Sequence, residues 1–150
     1  MAEMKVAVGG TFDPLHDGHR ALLKRAYELG NVFIGLTSDA LAKRRYKDVF
    51  SYEEREKRIK RYIQEEFGSK ANIQKLNEPY GATISENFDY IVVSSETYTV
   101  AMEINIIREE RRLRPIEIVK IDFVLANDGK PISSTRIKNG EIDEHGVLLR

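Results

Sequence analysis

The chain has no cysteine among its 150 residues. That excludes a disulfide framework, a thiol nucleophile and a thiolate metal site, and several enzyme classes with them. It has no net charge either: 24 basic side chains are balanced by 24 acidic ones. No overall field is available to hold a long nucleic acid by counterion release, so any polyanion site must be local. Long apolar runs are missing too. The apolar stretch in Met1 to Gly10 is too short for a secretory leader, and no later run approaches a membrane span. These absences predict a cytoplasmic protein whose partners include neither nucleic acid nor membrane. Internal repeats and low-complexity segments are also lacking.

A chain of this length fits one compact domain, residues 1–150, because it can bury most of the apolar surface of a single core. With 41% hydrophobic and 32% charged residues it has an ordinary globular composition. Lys5 to Val8 is a short apolar run ending at Gly9-Gly10, and Asn31 to Thr37 is a second, β-branched one; both read as buried parallel strands. Between them Leu22, Leu23, Ala26, Tyr27 and Leu29 recur at helical spacing from His19 onward, which makes a βαβ crossover. A helix follows from Ser51 to Phe67, with Ile59, Tyr62, Ile63 and Phe67 on one face and a capping box of Ser51 and Glu54. Further strands are predicted at Asn72 to Leu76, Tyr90 to Val93 and Ile116 to Ile121, with a helix over Val100 to Leu113 that turns Ile104 and Ile107 inward.

Strands alternating with helices predict an α/β fold: a Rossmann-like parallel sheet of about five strands with helices on both faces. Ligands then bind beyond the carboxyl ends of the strands. The loop in that position after the first strand is Gly9-Gly10-Thr11-Phe12-Asp13-Pro14-Leu15-His16-Asp17-Gly18-His19. Its glycines let the backbone approach a ligand, and the helix start behind them offers free amides and a positive dipole end, a setting suited to phosphate. If His16 and His19 both lie on the first helical turn, their rings project from one face toward the same phosphates. The same spacing suits metal ligation. The only other histidine is His145, however, and no carboxylates can be assigned to complete a site, so no metal site is assigned. The loop lacks the third glycine of a dinucleotide fingerprint, and the chain has no Gly-Lys-Ser/Thr P-loop. Hydride transfer and ordinary NTPase chemistry lose ground accordingly.

Far along the chain, Ile132-Ser133-Ser134-Thr135-Arg136 places three hydroxyls and an arginine where a new helix would begin. Alone this is an N-cap; beside the first loop it is a second phosphate-binding candidate. A basic segment, Lys43-Arg44-Arg45-Tyr46-Lys47, follows Thr37-Ser38-Asp39. The charges from Arg55 to Arg61 read as a solvated helix face.

Gly10-Thr11-Phe12-Asp13-Pro14 followed by His16-Asp17-Gly18-His19 resembles the signature of the HxGH nucleotidylyltransferase superfamily, and Ile132 to Thr135 resembles its second motif. Leu76 to Ile84, Phe88 to Thr97 and Pro115 to Val119 look like the archaeal and eukaryotic branch of the phosphopantetheine adenylyltransferases. The resemblance implies transfer of AMP from ATP to 4'-phosphopantetheine, giving dephospho-coenzyme A and pyrophosphate in coenzyme A biosynthesis. It also makes coenzyme A a candidate feedback ligand. The alternatives are another transferase of the superfamily, such as a cytidylyltransferase or a mononucleotide adenylyltransferase, and a non-catalytic nucleotide-binding module.

Residue by residue, the resemblance gives His19 the principal α-phosphate contact and His16 a supporting one. Gly9, Gly10, Thr11, Phe12 and Gly18 approach the nucleotide, and Thr11 with a lysine meets the attacking phosphate. Lys43 is preferred to Lys47 for that role; Thr37, Ser38 and Tyr80 join the substrate side. Ile132, Ser133, Ser134 and Thr135, with Arg136, hold the leaving pyrophosphate. Ser94, Ser95 and Thr97 touch ribose or the β and γ phosphates, and Glu103 matches the family's nucleotide-facing glutamate less closely. Two features depart from the bacterial branch: His16 stands where those enzymes have Thr, and Ser94 to Thr97 replaces their basic loop. Mg²⁺ is expected with the triphosphate, held mainly by phosphate and water.

Overall fold

Residues alternate sides along the first strand, β1 (Lys5–Gly10), so that Val6 and Val8 enter one hydrophobic core and Ala7 enters another. The computed structural model, which describes residues 3–149, builds two helical layers on that alternation. The other strands are β2 (Asn31–Thr37), β3 (Asn72–Leu76), β4 (Tyr90–Val93) and β5 (Glu117–Lys120). All pairings are parallel, in the order β3-β2-β1-β4-β5. The helices are α1 (Asp17–Leu29), α2 (Asp39–Ala42), α3 (Tyr52–Phe67), α4 (Tyr98–Glu110) and α5 (Ser134–Lys138), with a 3₁₀ turn at Gly81–Ile84.

On one face, Leu22, Leu23 and Ala26 of α1 and Ile59 and Ile63 of α3 pack against Val32, Ile34 and Leu36 of β2. On the other, Ala101 and Ile104 of α4 cover Ile91, Val93 and Phe88. A third, smaller cluster of Ala126, Ile132 and Ile142 organises the segment after β5. The predicted α/β sheet with helices on both faces is the observed one. No helix among the described residues is long and apolar enough to cross a membrane.

Several local expectations are corrected. α4 begins at Tyr98 and ends at Glu110, three residues before the predicted end, because the chain turns there: Arg112 has φ of 60° and the Leu113 amide donates back to the Arg108 carbonyl. At α3 only half the capping box forms. The Ser51 hydroxyl accepts from the Glu54 amide, but the Glu54 carboxylate turns to Arg58. Arg55, read as solvated, is completely buried, on the same stripe as Ile59 and Ile63.

Strand order places the topological switch at β1, with β2 and β4 on either side. Pairing of β1 with β4 stops at Val6–Tyr90 and Ala7–Ile91, although β1 runs on to Gly10 and β4 to Val93. The two strands diverge beyond that point, and a crevice opens between their carboxyl ends.

Candidate active site

The loop leaving β1 reverses tightly at Phe12, whose φ of 51° is uncommon for a residue with a side chain. Phe12 is buried, and its ring lies 4.9 Å from that of His19. Asp13 is buried beneath the loop, where its Oδ2 accepts from the Phe50 amide at 2.6 Å and lies 3.6 Å from the Lys138 ammonium. The loop after β1 is thereby tied to the segment before α3 and to α5.

At the start of α1 two imidazoles take the place of the usual Ser and Glu. His16 is the N-cap residue, so the condition that both histidines lie on the first turn is not met, and its Nδ1 accepts from the amides of Gly18 at 3.0 Å and His19 at 3.3 Å. The His16 amide in turn donates to Nδ1 of His19 at 3.3 Å. Both Nδ1 atoms are acceptors, so the hydrogen-bond pattern assigns the proton of each neutral ring to Nε2. The rings stack 3.7 Å apart, 18° from parallel. A Cβ on Gly18 would sit 2.8 Å from Cε1 of His16, a contact that the pinned ring cannot relieve; glycine is required there by close approach.

Burial, reinforced by the Arg20 charge, holds the His16 ring near a pKa of about 4. Burial also pushes His19 well below the ordinary imidazole value, helped by His16 and Arg20 and opposed by the Pro14 backbone. Both rings are neutral at pH 7.

The crevice between β1 and β4 widens into a cleft of about 360 Å³, within the size range of small-molecule sites. Of the residues picked from sequence, Gly9, Gly10, Thr11, Phe12, His19, Thr37, Tyr80, Ser94, Thr97 and Ser134 line it. The two motifs therefore meet, and the Ile132 carbonyl lies 3.9 Å from where a Gly18 Cβ would be. Deeper in, Phe33, Leu76, Phe88 and Ile104 make the wall apolar.

Other predicted residues support the cleft without lining it. Ser38 and Ser133 are N-caps whose hydroxyls accept from the amides of Leu41 and Arg136. Ile132 is buried in the third cluster, while Ser95 and Thr135 are exposed outside the cleft. Glu103 is exposed on α4, with Oε1 3.4 Å from the Tyr80 hydroxyl. Arg136 is committed to its own loop: it donates to Asp128 at 2.5 Å, Glu141 at 3.2 Å and the Pro131 carbonyl at 3.1 Å. Lys43 closes α2 and Lys47 lies beyond it, both exposed and off the cleft.

From that basic segment the residues that reach the cleft are Arg45 and Tyr46. Arg45 is ion-paired with Glu96, joining the loop after β2 to the loop after β4. Burial raises the Tyr46 hydroxyl, and the Ser134 and Thr135 hydroxyls beside it pull the other way. Nothing in the sequence separates Arg45 from its basic neighbours. Arg55 did carry a signal, since it stands four and eight residues before Ile59 and Ile63 on the buried stripe of α3. Its guanidinium donates to the carbonyls of Phe50 and Thr11, to Oγ1 of Thr37 and to Asp39.

Residues 7–140 match the family model described as cytidylyltransferase-like. The chain is 52% identical to a phosphopantetheine adenylyltransferase of Methanosarcina acetivorans over 151 residues, covering 97% of this chain and 96% of the other. It is 49% identical to the phosphopantetheine adenylyltransferase of Archaeoglobus fulgidus over 148 residues, 97% of this chain and 100% of the other. A crystal structure from Archaeoglobus fulgidus, of a protein described as having unknown function, superposes with a TM-score of 0.78 at 46% identity, covering 79% of this chain and 90% of that one. With identity of this order over nearly the whole length of both chains, the chain belongs to the phosphopantetheine adenylyltransferase family.

Proposed function

We propose that this protein transfers AMP from ATP to 4'-phosphopantetheine, releasing dephospho-coenzyme A and pyrophosphate, in the cytoplasm. The observation that carries the reading is the meeting of Thr11 and His19 with Ser134 in one cleft at the sheet's switch point. The apolar lower wall of Phe33, Leu76, Phe88 and Ile104 suits the less polar arm of such an acceptor.

The reaction needs little proton chemistry. A phosphate monoester has a second pKa of about 6 and is mostly a dianion at neutral pH, so no general base is required. One of its oxygens attacks the α-phosphorus in line, the bond from that phosphorus to the bridging oxygen breaks, and pyrophosphate leaves. The chain's task is to align the two reactants and to supply donors where charge builds. We assign the α-phosphate to His19 as a neutral Nε2–H donor, and the acceptor phosphate to Thr11. His16 acts through its cap on α1, which fixes the His19 ring. Arg45 takes the place first given to Lys43 or Lys47 beside the acceptor phosphate. The leaving pyrophosphate falls to Ser134 and the amides at the start of α5.

Among the described residues no group of three or more acidic or histidine side chains could hold a metal ion, and Glu96 is the sole carboxylate lining the cleft. That donor set fits Mg²⁺ carried in by the triphosphate, neutralising its charge, with water completing the coordination. Coenzyme A as a feedback ligand belongs to the same proposal, because it carries the pantetheine arm.

The deciding experiment pairs ATP or CTP with phosphopantetheine, glycerol phosphate or nicotinamide mononucleotide and measures pyrophosphate. Release is expected only from ATP with phosphopantetheine. Release from CTP, or from either other acceptor in preference, would replace the proposal.

A further inference from the structure

Arg55 is a charged side chain with no exposed surface, set directly behind the cleft floor. Its Nε donates to the Phe50 carbonyl at 2.8 Å and one Nη2 hydrogen to Asp39 at 3.1 Å. The two hydrogens of Nη1 go to the Thr11 carbonyl at 3.3 Å and to Oγ1 of Thr37 at 3.1 Å. Oγ1 of Thr37 stands 3.0 Å from Oγ1 of Thr11, and both threonines line the cleft.

A guanidinium can only donate, so Oγ1 of Thr37 must accept from it. The cation also orients the hydroxyl dipole, drawing the oxygen of Thr37 toward itself and sending the hydrogen away, toward Thr11. Thr11 then accepts from Thr37, and its own hydrogen is left facing the cleft. We propose that Arg55 and Thr37 are positioning residues that turn the Thr11 hydroxyl hydrogen toward the acceptor's phosphate. Each link in such a chain polarises the next, so the end facing the ligand is a stronger donor than an isolated threonine. The free hydrogen favours an oxyanion at that point. Thr37, expected to touch substrate, acts through Thr11. The inference rests on the adenylyl-transfer reading for the identity of the ligand, not for the direction of the relay.

Thr37→Val keeps the shape of the side chain and removes the link, while Thr37→Ser keeps the hydroxyl. Calorimetric titration of 4'-phosphopantetheine is expected to show about tenfold weaker binding for Thr37→Val, with affinity for pantetheine, which lacks the phosphate, unchanged. Thr37→Ser should recover most of that loss. The double variant Thr11→Val/Thr37→Val should bind no more weakly than Thr11→Val alone, because one relay is broken in both. Thermal unfolding of each variant checks that the fold is kept. Equal impairment of the Val and Ser variants, an undiminished Thr37→Val, equal losses for pantetheine, or additive losses in the double variant would each overturn the relay. The same titrations with inorganic phosphate read the relay separately. A wild-type chain that releases no pyrophosphate would therefore defeat the functional reading, while the phosphate titrations still decide the relay.

Discussion

The rings of His16 and His19 lie stacked 3.7 Å apart, and each supplies an Nδ1 acceptor to an amide at the start of α1. One histidine therefore serves the helix and the other the cleft, although the motif presents them as a symmetrical pair. His19→Ala removes the donor assigned above to the α-phosphate and is expected to lower turnover about a hundredfold or more, a loss of roughly 3 kcal/mol in the transition state. His16→Ala should cost about 1 kcal/mol of stability through the lost cap, with a smaller fall in turnover. Steady-state rates and denaturation curves on the two variants separate the roles, and equal catalytic losses would argue that both rings touch substrate.

The two neutral rings also set a pH dependence. An unfolded His16 binds a proton near pH 6.5, whereas the folded ring resists protonation down to about 4. Through that window the unfolded chain holds more protons, so stability is complete above pH 6.5 and is lost as pH falls through the window toward 4. His19 acts in the same direction. Denaturant midpoints measured from pH 7.5 downward should fall steeply below about pH 6.5 for the wild type, and less steeply for His16→Asn, which keeps a capping side chain. Matching slopes would show that His16 is not the group being titrated.

Arg45 carries the positive charge that lines the cleft from the segment after α2, and Glu96 holds it from the opposite loop. Arg45→Ala is expected to raise KM for the phosphate-bearing acceptor about tenfold, and Lys43→Ala to move it much less. Initial rates over a range of acceptor concentration compare the two directly. A larger effect at Lys43 would reinstate it as the phosphate ligand.

Arg108 has no exposed surface and no carboxylate partner among its hydrogen bonds; it donates to the carbonyls of Thr83 and Glu86 and to that of Arg114. The first two belong to the segment carrying Tyr80, Ala82 and Thr83 on the cleft wall. Arg108→Lys keeps the charge but cannot span three acceptors, and the orphaned carbonyls should cost about 3 kcal/mol. Thermal unfolding gives the stability change, and KM for the acceptor should rise with it because the wall loses its anchor. A variant as stable as the wild type would show that water replaces the guanidinium.

The sheet is legible in the sequence because its strands are short segments alternating with helical patterns, and three of them, Asn31–Thr37, Asn72–Leu76 and Tyr90–Val93, match the structure residue for residue. Both cleft motifs are legible as well, being contiguous segments next to element ends. What escapes is set by tertiary packing. Arg55 stands on a buried stripe, but its charge and its basic neighbours make it read as surface. His16 looks like a ligand contact because nothing local shows that its Nδ1 is spent on two amides. Arg136 looks free for phosphate because Asp128 and Glu141, which occupy it, reach it only once their loops have folded.

The turn at Glu144 and His145 is bound to the beginning of α1. The Asp17 amide donates to the Glu144 carbonyl, Arg20 pairs with Glu144, and His145 lies 3.0 Å from Asp17. During synthesis the loop after β1 leaves the ribosome long before Glu144 and His145, which brace the start of α1. A nascent chain can therefore emerge with all five strands of its sheet while the first turn of α1 still lacks these partners.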